Sequence, residues 1–83
     1  MDVRIAKVTH YYSRIGVAVL QLSGDLSVGD TISILGHTTD FTQPVLSLEI
    51  EHQKVKSAGP NMEVALKVIE PVRRGDKVYK VID

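Results

Sequence analysis

From Leu46 to Glu51 the chain alternates apolar and polar residues one by one, Leu-Ser-Leu-Glu-Ile-Glu. A period of two is the signature of a β-strand with one face in a core. It predicts Leu46, Leu48 and Ile50 inward, with Glu49 and Glu51 in water. A helix over the same stretch would carry Glu49 and Gln53 on its apolar stripe, so the helical reading fails. Val64, Leu66 and Val68 alternate with Ala65 and Lys67, and Ile32 and Ile34 flank Ser33. In the second strand Ile15, Val17 and Val19 occupy one face and Ala18, Leu20 and Leu22 the other. A strand apolar on both faces is expected to be central or covered by a loop. The first strand, about Val3 to Tyr11, breaks phase between Ile5 and Val8, which fits a β-bulge. The expected core is Ile5, Val17, Val19, Ile32, Ile34, Leu48, Ile50, Leu66 and Val68.

Turn chemistry separates these segments at Ser23-Gly24-Asp25, Val28-Gly29-Asp30, Gly36-His37, Ser57-Ala58-Gly59-Pro60-Asn61 and Arg74-Gly75-Asp76. Six short strands with regular punctuation, no helix and no repeat of long period predict an all-β fold, a small barrel or sandwich. Pro44 has no N–H, so its strand is expected at an edge or a bulge. Val28-Gly29-Asp30-Thr31-Ile32 echoes Arg74-Gly75-Asp76-Lys77-Val78. In both, glycine can take positive φ while the aspartate bonds nearby backbone amides before the next strand.

Composition narrows the picture. Eighty-three residues make one domain, expected to span 1–83. A chain this short buries only about 60% of its unfolded surface. Lys+Arg and Asp+Glu both total 10, so no overall field announces a nucleic acid. With no cysteine there is neither a disulfide framework nor a thiolate metal site. Met1-Asp2-Val3-Arg4 lacks the form of a signal peptide, and no apolar run is long enough to span a bilayer. The expectation is a complete, cytoplasmic chain.

The stretch Arg14 to Gly36, RIGVAVLQLSGDLSVGDTISILG, resembles the second domain of translational GTPases such as elongation factor Tu. Gly36 to Ile50, GHTTDFTQPVLSLEI, and Ala65 to Val81, ALKVIEPVRRGDKVYKV, are similar to small stand-alone elongation-factor-like proteins. A similar barrel is appended to some collagenase-like peptidase-family proteins. The resemblance implies a closed six-stranded barrel of the translation-protein type. It does not imply GTP binding, because no G-x-x-x-x-G-K-[ST] loop is present.

Candidate chemistry is sparse. His10, His37 and His52 lack the convergent spacing of metal ligands and read as surface residues. Asp30 and Asp76 each follow a turn glycine and read as turn acceptors rather than an acid–base pair. In Thr38-Thr39-Asp40-Phe41 the expectation is that Phe41 plugs one end of the fold and Asp40 caps the turn. No nucleophile, base and orienter can be assembled, so no enzyme and no cofactor are expected. The remaining feature is basic and aromatic: Tyr11, Tyr12 and Arg14 near the first turn, with Arg73, Arg74 and Lys77 near the last. Exposed aromatics beside guanidinium groups suit stacked bases and phosphates. Two readings stand: a non-catalytic, RNA- or ribosome-associated module using these six residues, or a protein-interaction module using a barrel edge or the apolar outer face of the second strand. Neither a nucleotide nor a membrane is an expected partner.

Overall fold

The computed structural model describes residues 2–82. Its strands, in chain order, are β1 (Asp2–Tyr12), β2 (Val17–Leu22), β3 (Leu26–Ser27), β4 (Thr31–Leu35), β5 (Asp40–Pro44), β6 (Leu48–Ile50), β7 (Gln53–Val55), β8 (Ser57–Ala58), β9 (Glu63–Lys67) and β10 (Lys77–Val81). The described residues contain no helix. Eight strands form one antiparallel sheet in the order β5-β4-β10-β1-β2-β9-β6-β7, and β3 pairs with β8 in a separate small ladder. The all-β expectation holds. The six expected segments are all strands, and β3, β5, β7 and β8 are additional.

The closed barrel is not found. Among the described residues no ladder joins β5 or β7, the two ends of the sheet, to another strand that would complete a ring. The sheet nonetheless curls far enough for β5 to reach β9. The Gln43 Nε2 group donates to Lys67 O at 2.9 Å, and Ile69 N–H donates to Gln43 Oε1 at 2.8 Å. One side-chain amide thus takes the place of a strand partner across the seam. Pro44 closes β5, an edge strand, where its missing N–H leaves no ladder bond unmade.

The curl encloses the core. Ile5, Ala6 and Val8 of β1, Ala18, Leu20 and Leu22 of β2, Ile32 and Ile34 of β4, Leu48 of β6, Val64 and Leu66 of β9 and Val78 of β10 are all buried. Phe41 from β5 joins them, as expected of a plug, while Asp40 stays exposed and the turn before it is closed by Gly36 N–H to Thr39 O at 2.8 Å. The phase break in β1 is a real irregularity. Register shifts between Arg4 and Ala6 against β10, and between Val8 and His10 against β2, so consecutive Ile5 and Ala6 both point inward.

Strand β2 runs in the opposite phase from that expected. Val17 and Val19 are half-buried on the outer face, and Ala18, Leu20 and Leu22 are the core residues. Pairing decides the matter. Ala18 faces Leu66 and Leu20 faces Val64, while Val17 faces Lys67 and Gln21 faces Glu63. Paired residues share a sheet face, so turning Val17 and Val19 inward would carry Lys67, Gln21 and Glu63 into the core. Leu46 also departs from expectation: it precedes β6 and is 81% exposed. Ile50 and Val68 are half-buried at the core margin, and Ile15 lies on the surface.

The echoed turns are built alike. Ser27 N–H donates to Asp30 Oδ2 at 2.9 Å and Arg73 N–H to Asp76 Oδ2 at 2.8 Å. Gly29 and Gly75 sit at φ 100° and 94°, the positive values a Cβ resists. Both aspartates therefore serve the backbone.

Candidate functional site

The outer face of β2, β9 and β6 carries an open furrow of about 800 Å³. Its geometry follows from register. Val17 and Val19 form one wall on β2, and Glu49 forms the other on β6, with Ile50, half-buried against the core, beside it. Between them runs β9, whose outward residues are Glu63, Ala65 and Lys67. Ala65 faces Val19 on one side and Glu49 on the other, so the smallest side chain stands at the centre of the row. That is why the surface dips there.

The two ends of the furrow differ. Strands β6 and β9 are antiparallel with Glu49 opposite Ala65, which brings Glu51, in the turn beyond β6, towards the Glu63 end. His52 and Met62 also line the furrow. Across β2 and β9 the other end holds Lys67 beside Val17, with Tyr12 paired to Val17 on β1 and Ile15, 59% exposed, in the turn that follows. Leu46 and Ile69, also exposed, adjoin this region: Val68 N–H bonds Gly16 O at 2.9 Å, next to Ile15, and Leu46 precedes the lining residue Ser47.

Glu51 and His52 form the two-residue turn between β6 and β7, with Ile50 paired to Gln53. Their φ angles are 50° and 67°. Two successive positive values match the twist of a hairpin, but Asn-Gly is the pair that adopts them at least cost. A β-hairpin here therefore holds two strained, non-glycine residues at the furrow's rim. Such strain is concentrated at functional sites.

The six basic and aromatic residues singled out in the sequence do not gather round this furrow. Tyr12 alone lines it, its ring 4.5 Å from that of His10, with which it shares the outer face. Tyr11 points the other way and packs against the core. Arg14 is exposed in the turn closed by Ile15 and Gly16 N–H groups on Tyr12 O. Arg73 and Arg74 are exposed in the turn tied to β1 by Gly75 N–H to Val8 O at 2.8 Å. Arg74 and Lys77 line a second, shallow depression with His37 and Asp76, and Lys77 stands opposite Lys7. Among the described residues the one ion pair lies elsewhere, Lys80 to Asp30 at 3.5 Å, and no histidine and carboxylate cluster could hold a metal ion. All three histidines are exposed.

The sequence points to an apolar outer face of the second strand as a candidate interaction surface, but it puts Val17 and Val19 inside, so the residues of that face differ from those expected. The signal was available in β2, whose two faces are both apolar although only one can line the core. No comparable signal marked Glu51 and His52 as a turn.

No family model matches the chain. An uncharacterized protease of Methanocaldococcus jannaschii is 38% identical over 78 residues, 93% of this chain and 19% of that protein. A collagenase of Porphyromonas gingivalis is 38% identical over 78 residues, 92% of this chain and 22% of that protein. The chain thus spans about a fifth of the length of these curated relatives. The C-terminal domain of a Geobacillus thermoleovorans protein assigned to the U32 peptidases superposes with a TM-score of 0.90 at 23% identity, covering 95% of this chain and 92% of that domain. These findings correct the translation-factor resemblance and the RNA- or ribosome-associated function drawn from it: the relatives are named protease and collagenase, and the structural neighbour is a peptidase C-terminal domain. What this chain is similar to, in sequence and in fold, is a domain-sized part of proteins named as peptidases.

Proposed function

We propose that this chain is a non-catalytic domain that holds unfolded polypeptide for a peptidase-type protein, through the furrow on the outer face of β2, β9 and β6. The observation that carries the reading is the furrow itself. An apolar floor and wall, Ala65, Val17 and Val19, stand half-buried on the outer face of the sheet and line the furrow. Exposed apolar residues continue from it at Tyr12, Ile15 and Met62. Contiguous apolar surface rimmed by charge is what docking sites look like. The names of the relatives supply the class of partner, since a protease works on polypeptide. Their much greater length leaves room for the chemistry to reside outside the matched fifth.

The test is binding of the chain to immobilised casein, an unfolded polypeptide, with Ala65→Phe as the blocking variant. The parent should bind and the variant should lose at least tenfold in affinity while melting at the same urea concentration. Hydrolysis of casein by the chain alone would refute the non-catalytic part, and equal binding by both proteins would refute the site.

A further inference from the structure

The furrow is selective as well as adhesive, and the selectivity is written in its charges and width. Neighbouring strands are about 4.8 Å apart, so walls on β2 and β6, with β9 between them, stand about 10 Å apart. A helix with its side chains is about 10–12 Å across and would ride on the rim instead of reaching Ala65. An extended segment fits. The outward row from Glu63 to Lys67 is one five-residue strand long, and accommodates an extended segment of about four to five residues.

Charge sets its direction. Three carboxylates line the furrow, Glu49, Glu51 and Glu63, against the one ammonium of Lys67. Lys54, opposite Glu49 on β7, is outside the lining. Glu51 and Glu63 share one end; Tyr12 and Ile15 stand beside Lys67 at the other. The two-residue turn holds Glu51 at the acidic end, at φ 50°.

Building on the polypeptide-holding role, we infer that the furrow takes an extended segment with an arginine or lysine at one end and an aliphatic or aromatic residue two to four positions away, small or aliphatic residues lying over Ala65. The basic side chain meets Glu51 and Glu63, and the apolar one packs against Ile15 and Tyr12.

The test uses blocked heptapeptides of alternating valine and threonine, with leucine near one end and either arginine or glutamate near the other. Affinities are measured at two salt concentrations for the parent, the Glu51→Gln, Glu63→Gln double variant, and Ala65→Phe. The arginine peptide should bind the parent about tenfold more tightly than the glutamate peptide at low salt, and the gap should narrow as salt screens it. The double variant should bind the two peptides alike, and Ala65→Phe should bind neither. Equal affinity of the parent for both peptides would overturn the charge preference while leaving the polypeptide-holding role intact. Failure of both peptides with casein still bound would overturn the extended-segment inference alone; failure of casein too would overturn both.

Discussion

Replacing Gln43 by leucine keeps the volume of a buried side chain and deletes the two hydrogen bonds by which Gln43, on β5, reaches Lys67 and Ile69 across the seam. Gln43 is 4% exposed and sits between Lys67 O at 2.9 Å and Ile69 N at 2.8 Å, with Pro44 O a longer 3.4 Å from its Nε2. Removing the amide strands one carbonyl and one N–H. Each buried group left without a partner costs about 1–3 kcal/mol. Ile69 is 68% exposed, so water recovers part of that cost, and the expected loss is about 2–4 kcal/mol. For a domain with about 5 kcal/mol in hand that is a large share. Urea unfolding measures the total, and amide hydrogen exchange isolates the cause. The Ile69 N–H should be protected in the parent and exchange much faster in Gln43→Leu, even under conditions where Val8 and Leu20 remain protected. A variant within about 0.5 kcal/mol of the parent, with Ile69 exchange unchanged, would mean the seam is held by something other than this side chain.

Leu48→Ala and Leu66→Ala should each cost about 2–5 kcal/mol in urea melts, whereas Val19→Thr, on the outer face, should cost less than about 1 kcal/mol; the reverse order would restore the opposite phase for β2. Asp76→Ala, which removes the acceptor for Arg73 N–H, should cost about 1–2 kcal/mol, and Asp30→Ala a similar amount through Ser27; no change in either would deny the aspartates a backbone role. Glu51→Asn with His52→Gly should raise stability by about 1–2 kcal/mol by relieving two positive-φ residues, while weakening capture of the arginine peptide. A double variant less stable than the parent would show the turn to be unstrained.

Much of the fold is legible one residue at a time. Period-two alternation marks β4, β6 and β9, the missing N–H of Pro44 marks an edge, and glycine followed by aspartate marks two turns whose hydrogen bonds are as expected. Other features depend on partners far away in sequence. The phase of β2 is undetermined by its own residues, because valines on one face and leucines on the other are both apolar. Only pairing with β9, which carries Glu63 and Lys67 outward, breaks the tie. Gln43 meets Lys67 and Ile69 across 24 and 26 residues, and nothing about a lone glutamine announces a seam. The same holds for the site. The sequence singles out Tyr11 and Tyr12 together without deciding which faces outward; Tyr12 does, and its neighbours are Val17 and Ile15 rather than the arginines of the last turn. Arg73, Arg74 and Lys77 are exposed in and beside the last turn, apart from the furrow, and the translation-factor resemblance that suggested RNA for them is overturned by the relatives found.

The measurement that bears most directly on the furrow as the binding site is a nitrogen–proton correlation spectrum of the labelled chain during titration with the arginine peptide. The amides of Val17, Val19, Glu49, His52 and Ala65 should move together and saturate with one affinity, while those of Arg74, Gly75 and Lys77 stay still. Shifts confined to Arg73, Arg74 and Lys77, or reproduced by single-stranded RNA and abolished by salt, would contradict it and move the site to the last turn.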